Sequence, residues 1–389
     1  MRVKIANTKH MGRSLVATCD IAAGNVVLRA VPAAAVLLDT FISGGTHCGM
    51  CLADAFEGQV AGTNHGADLI KCADCNVIFI CKACRSKAQT VAQHGLECNA
   101  HASLLGSKQR GLAYPLKETS TVRCLIRLMI SGSKSRGCPI QAEVADLEEH
   151  FDSETPSIKT ELQQAATIAL SLISPDYHST VPLESVRRWA RVAARLRSNE
   201  IAACWPMRWN MAHAMLNLGD ETCGVGLWPA ASYCNHNSTP NCHYSIELGN
   251  TTPAITVLQP KVIPNEHVKA HRSAFIGPNL VLRATRRIRR GEHVYISYVS
   301  LYAPIAQRNQ LLQDMYHFQE TDRARTHHKE TLDVDACMTA LLCQRCPNGI
   351  LEPTAVQVVL GIERDRNVHA LLLICTRKNL FHDRHIVLL

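Results

Sequence analysis

Seven cysteines and one histidine between positions 48 and 98 are spaced to hold metal ions: Cys48-x2-Cys51, Cys72-x2-Cys75, Cys81-x2-Cys84 and His94-x3-Cys98. A two-residue spacer lets both sulfurs of a pair reach one tetrahedral ion at about 2.3 Å, and a His and a Cys four apart share one helical face. Eight ligands close two sites and leave no position for water, so the zinc they predict is structural. The large apolar residues of this segment, Phe56, Ile70, Ile78, Phe79 and Ile80, are too few to fold it without metal.

A second stretch, Asn235-His236-Asn237-Ser238-Thr239-Pro240-Asn241-Cys242, must be a turn, because Pro240 and the small polar residues exclude a continuous helix. Asn side chains in turns commonly bond their own backbone, so this octapeptide alone fits an ordinary loop as well as a ligand site. A third, Gly291-Glu292, leads into Val294-Tyr295-Ile296-Ser297-Tyr298. Alternation along that strand puts Val294, Ile296 and Tyr298 on one face and Tyr295 and Ser297 on the other.

The elements that must position these residues belong to a globular chain. Of 389 residues, 47% are apolar and 19% charged, which excludes disordered and fibrous classes and allows two or three domains. Apolar runs such as Ala370 to Ile374 are too short to span a bilayer, and no signal-peptide core follows Met1. The 18 cysteines therefore read as metal ligands rather than a disulfide framework, and the expected compartment is cytoplasm and nucleus, with no membrane partner. The formal charge is +8. Two zinc ions on seven thiolates would lower it to roughly +5, too mildly basic to predict direct DNA binding.

Valine-rich runs at 12–18 and 25–31, separated by a Gly-containing turn, predict two strands in a hairpin-like unit, with Gly12 as a turn glycine. Residues 99–225 read as mainly helical. Val122, Leu125, Ile126, Met129 and Ile130 recur at helical spacing after a Thr119 or Ser120 cap, and 131–137 has linker composition. Short helices are expected near Val144 to Phe151 and over 158–173. Ser185 to Arg197 forms an amphipathic basic helix whose arginines are expected to face solvent. Strands follow at 254–258 and 279–284 around a loop at 261–277. The basic run Arg286 to Arg290 is read as solvated. Arg308 to Phe318 is a helix, 319–335 is polar, and the tail from Ile350 shows no helical repeat.

Together these segments resemble the SET-and-MYND family of protein lysine methyltransferases over residues 12 to about 346. The resemblance implies an α+β fold: a SET-type β-rich core with a knot-like cofactor site, an inserted zinc-binding MYND module and a helical SET insertion. It divides the chain into an N-terminal SET segment (1–47), MYND module (48–98), helical insert (99–225), core SET (226–303), post-SET region (304–350) and tail (351–389). Cross-braced MYND ligands would place Cys48, Cys51, Cys81 and Cys84 on one zinc, and Cys72, Cys75, His94 and Cys98 on the other. Asn235, His236, Pro240 and Asn241 match one SET signature; Gly291, Glu292, Val294, Ser297 and Tyr298 match another.

From the family come S-adenosylmethionine contacts for Gly12, Arg13, Asn210, Asn235, His236, Tyr298, Tyr316 and Phe318, with Tyr298 as the catalytic residue beside the transferring methyl. Tyr316 and Phe318 match an aromatic stretch that lines the lysine channel. Methyl transfer to a neutral amine is an in-line displacement in which proximity and alignment contribute up to roughly 7–11 kcal/mol. An aromatic channel can desolvate the ammonium and lower its pKa, while a phenol near pKa ~10 is cast as an orienting group rather than a base.

Three departures stand out. Ser14 replaces the second glycine of Gly-x-Gly, Ser238 replaces a zinc-binding cysteine, and Leu341 occupies a further ligand position. A candidate third zinc site keeps only Cys343 and Cys346 in register, with Cys337, Cys242 or Cys234 as substitutes, and two thiolates alone do not make a structural site. The long helical C-terminal domain of some members is not evident. The expected partner is a protein or peptide presenting lysine, with a proline-rich peptide at the MYND module. The alternative is a catalytically weak scaffold or transcriptional co-regulator acting through that module.

Overall fold

The computed structural model describes residues 2–8, 12–54, 68–109, 118–133, 142–173, 181–205, 221–247, 277–301 and 305–320, and the backbone of four short strands beyond residue 340. The chain forms two compact units, Met1–Ile296 and Ser297–Leu389. Strands of the first unit are β1 (Val3–Thr8), β2 (Gly12–Ala17), β3 (Val26–Ala30), β4 (Ala34–Leu37), β5 (Leu69–Lys71), β6 (Phe79–Cys81), β7 (Glu200–Trp205), β8 (Glu221–Leu227), β9 (Asn235–His236), β10 (Cys242–Glu247), β11 (Asn279–Ala284) and β12 (Tyr295–Ile296). Its helices are α1 (Asp39–Gly44), α2 (Lys82–Arg85), α3 (Ala88–Gln109), α4 (Ser120–Ser133), α5 (Ala142–Ala145), α6 (Pro156–Ile173) and α7 (Leu183–Asn199).

The strands make small sheets: β1-β2, β10-β11-β3, β4-β8-β7, β5-β6, and the parallel pair β12-β9. The hairpin expected between the runs at 12–18 and 25–31 does not form. Instead β2 pairs antiparallel with β1, and β3 pairs with β11. Both edges of β2 are taken, since its other side bonds the backbone of Tyr233, Glu292 and Val294. The intervening turn is drawn elsewhere: Asp20 accepts from the Arg287 side chain and the Arg290 N–H, and buried Ile21 bridges buried Ile288. The basic run is thus partly paired rather than wholly solvated.

The helical core follows the expected periodicity. Leu125, Ile126 and Met129 of α4 are buried with Ala166 and Leu170 of α6 and Trp189, Val192 and Leu196 of α7. The start of α4 is capped differently from the expected Thr/Ser cap. The Glu118 carboxylate accepts the Ser120 N–H, while Thr119 donates its hydroxyl to Asp39 at the start of α1. α4 also runs through Ser131 to Ser133, where composition suggested a linker.

Arginines of α7 are not all solvated. Arg191 bonds Glu149 and Asp152, Arg195 bonds the Leu147 carbonyl, and Arg197 bonds Glu154, fastening residues 147–154 to the helix. Arg187 and Arg188 are exposed.

The second unit contains α8 (Ile305–Tyr316) and an antiparallel sheet of β13 (Leu341–Leu342), β14 (Ile350–Pro353), β15 (Leu372–Thr376) and β16 (Ile386–Leu388). No helix among the described residues is long and apolar enough to cross a membrane. The strand expected at 254–258, nearly all of the loop at 261–277 and most of the polar segment after 319 lie outside the described residues.

Candidate active site and metal centres

Two four-ligand sets stand out among the described residues: Cys48, Cys51, Cys81 and Cys84, and Cys72, Cys75, His94 and Cys98. They are the crossed sets that the resemblance implied. Within each, every ligand atom lies within 4.8 Å of the others. Cys51 Sγ is 3.8 Å from Cys81 Sγ, Cys72 Sγ is 3.7 Å from Cys98 Sγ, and His94 Nε2 is 3.8 Å from Cys75 Sγ. Four ligands about 2.3 Å from a tetrahedral ion sit at such separations, so both sets fit zinc.

Local backbone explains why. Leu52 and Asn76, each following the second cysteine of a pair, have φ of 60° and 53°. This left-handed step lets the Leu52 N–H reach the Cys48 carbonyl and the Asn76 N–H reach the Cys72 carbonyl, curling both loops around their sulfurs. Backbone N–H groups of Cys81 and Cys84 donate to Cys48 Sγ and Cys81 Sγ, which favours thiolate. Burial and the neighbouring His101 hold the His94 imidazole down at about 4, so it is neutral and able to ligate near neutral pH.

Behind the second set lies a buried ion pair. Arg127 of α4 donates to both carboxylate oxygens of Glu97 on α3 at 3.1 and 3.0 Å, and also to the carbonyls of Gly49 and Ala35. Burial alone would raise the Glu97 carboxyl, but Arg127 and His101 hold it at about 2. One side chain thereby joins the first zinc loop, the second zinc helix, α4 and strand β4.

The two signature stretches meet in the first unit. β9 (Asn235–His236) lies parallel to β12, with Tyr295 opposite Asn235 and Ile296 opposite His236. Beneath them Asn241 is fully buried. Its amide donates to Glu292 Oε1 at 3.1 Å and the His293 carbonyl at 2.8 Å, and its oxygen accepts the Tyr295 N–H at 2.8 Å. Asn237 instead takes the ordinary loop role, accepting from the Thr239 N–H and hydroxyl.

β2 runs between the stretches. The Leu15 N–H donates to the Tyr233 carbonyl, and its own carbonyl accepts from Val294. Gly12 has φ 60°, a conformation that favours glycine. Ser14 is buried, 2.7 Å from His293 Nδ1. Arg13 is bound by Asp146 and Glu148 and lies 5.6 Å from the Tyr233 ring centroid. Tyr233 donates to Asp146, and burial followed by that bond raises its phenol above the ordinary value.

In the second unit three rings cluster. Tyr298 and Tyr316 have centroids 4.7 Å apart, with Phe318 at 6.3 Å from the first and 6.4 Å from the second.

A family model for the SET domain matches residues 12–299, well over half of the chain, from the start of β2 to just past Tyr298. The chain belongs to the SET-domain family. Curated relatives include the histone-lysine N-methyltransferase SMYD3 of Mus musculus, 25% identical over 343 residues that cover 87% of this chain and 64% of that protein. SMYD3 of Homo sapiens is 24% identical over 336 residues, covering 85% and 63%. The chain spans less than two thirds of the length of these relatives. Among solved structures, the SET domain of LSMT bound to lysine and AdoHcy covers 82% of this chain and 53% of that chain at 18% identity, with a TM-score of 0.31. A likeness that loose carries no weight for the site.

In this SET protein the crossed cysteine sets fit a MYND module. Asn210, Cys337, Cys343 and Cys346 lie outside the described residues, and the third zinc site with them. Cys234 and Cys242 are buried, and burial pushes both thiols up, Cys242 to about 12, which opposes their serving as free thiolates. Several structural residues had no individual signal in the sequence: the Ser14–His293 pair, the Arg127–Glu97 pair, and the partners of Arg13. Asn241 had a motif match but no evident task until its three bonds were seen.

Proposed function

We propose that this SET protein transfers a methyl group from S-adenosylmethionine to a lysine side chain of a protein, histone or non-histone. The observation that carries the reading is the fastening of the two family signatures, β9 against β12, over buried Asn241. The cofactor supplies a methyl group activated on a sulfonium. The chain's residues would bind and orient. Gly12, Asn210, Asn235 and His236 are proposed cofactor contacts, as are Tyr298, Tyr316 and Phe318, which would also line the lysine channel. For Arg13 the reading is narrower, because its guanidinium is engaged by Asp146 and Glu148; its proposed part is to fix the strand. Tyr298, Tyr316 and Phe318 offer three π faces suited to a cation. Tyr298 is proposed to orient the amine lone pair.

The test is transfer of radiolabelled methyl from S-adenosylmethionine to histone and cytosolic protein pools, with calorimetry of cofactor binding to zinc-loaded protein. Binding and label on lysine are expected, and Tyr298→Phe should lower turnover by about 10-fold or more with cofactor affinity nearly unchanged. Absence of cofactor binding by intact protein would refute the reading. It would leave the scaffold alternative, in which Cys81→Ala abolishes partner capture and Tyr298→Phe changes nothing.

A further inference from the structure

α8 ends at Tyr316, and the next residue, His317, has φ 60°. Its N–H donates to the Gln313 carbonyl, four residues back, the bond that closes a helix through one left-handed residue. Glycine is the usual occupant of that position, because a Cβ crowds the backbone there. The chain then turns back along the helix: the Glu320 N–H donates to Asn309 Oδ1 at 2.9 Å, and the Glu320 carboxylate lies 3.6 Å from buried Arg308.

This reversal decides where Phe318 goes. Residues i and i+2 of a continuing helix point about 200° apart, so Tyr316 and Phe318 would lie on opposite faces and could not share Tyr298 as a neighbour. Their rings instead stand 6.4 Å apart, both against Tyr298. We infer that His317 is a positioning residue for the aromatic trio, acting through its left-handed backbone rather than its imidazole. The inference deepens the proposed lysine methylation and rests on that reading for its kinetic consequence, though not for its geometry.

Zinc-loaded protein carrying His317→Gly, His317→Asn, His317→Ala or His317→Val separates backbone from imidazole. Glycine and asparagine accept the left-handed conformation, alanine does so less readily, and β-branched valine resists it. Ring-to-ring nuclear Overhauser contacts between labelled Tyr298, Tyr316 and Phe318 report the geometry without activity. They are expected in the wild type, His317→Gly and His317→Asn, weakened in His317→Ala, and lost for Phe318 in His317→Val. Under the methylation reading, kcat/KM for a lysine peptide should stay within about 2-fold in the glycine and asparagine variants and fall about 10-fold or more in valine. The cofactor dissociation constant should stay within about 2-fold in the glycine and asparagine variants, and recovery by two residues that share only tolerance of the left-handed conformation is a pattern that general destabilisation would not give. Loss of the contacts in His317→Gly as complete as in His317→Val, or their retention in folded His317→Val, overturns the inference. Ring contacts ordered as expected in a protein that methylates nothing would refute the methylation reading and support the positioning role.

Discussion

Asn241 makes three hydrogen bonds with one side chain in a fully buried position, and each ties the first signature to the second. Its two donors face a carboxylate and a carbonyl. Asn241→Asp keeps the size but turns a donor into an acceptor against Glu292, so it should cost on the order of 3 kcal/mol in guanidinium unfolding, more than Asn241→Ala. Equal stability of Asn241→Asp and the wild type would show that the stretches are held by their backbones alone. A second residue has a pH signature. Burial, with Glu118 next, pushes the Glu200 carboxyl up to about 7. The folded state therefore holds this proton more tightly than the unfolded chain, and stability falls as pH rises from the ordinary carboxylate value through 7. Glu200→Gln should match the wild type near pH 4 and become more stable by pH 8, by on the order of 1–3 kcal/mol, in melts across that range. A gap that does not widen with pH would mean that Glu200 ionises freely.

Elements were legible where one local rule decides them. The cysteine spacing and the 3.6-residue apolar repeat of α4, α6 and α7 are set within a few residues, and both appear where expected. The β2–β3 hairpin failed because β1 fills one edge of β2, while residues more than two hundred positions away fill its other edge and pair with β3, and spacing carries no record of them. The basic stripe of α7 was misread in part for the same reason, since its acids lie on the separate segment 147–154. The site divides likewise. Signature residues can be picked out from residue type and order, whereas Ser14 with His293 and Arg127 with Glu97 depend on tertiary approach. Arg127 is the sharpest case at this scale, because it joins α4 to α3 and to the first zinc loop. Arg127→Met would remove the guanidinium from the buried Glu97 carboxylate and leave it only Gln93 and His101, at about 3–5 kcal/mol. Slower zinc release to a chelator in Arg127→Met than in the wild type would contradict that linkage; faster release is expected.

At the scale of the first unit, the zinc module does not own its core. Cys48, Cys51, Cys81 and Cys84 are buried in one cluster with Met50, Leu52 and Ile78, and that cluster includes Leu37 of β4, Ala203 of β7 and Cys223 of β8. Gly224 of β8 marks the contact: a Cβ there would stand 2.5 Å from the Val36 carbonyl oxygen and 3.0 Å from Leu52 Cδ1. Only a bare backbone lets the left-handed loop after Cys51 settle on the sheet. Loss of metal should therefore loosen more than the module, because four thiols without a cation neither stay ionised together nor hold Leu52 against β8. Extraction with a strong chelator should release the zinc of the two crossed sets and lower the melting midpoint by more than about 10 °C. Amide exchange should accelerate at Gly224 and Val225 as well as in the cysteine loops. Re-addition of zinc should restore both, since binding free energy at such sites is folding free energy. If the cysteine loops exchange freely while β8 stays protected, the sheet holds without the module, and the shared cluster is contact without coupling.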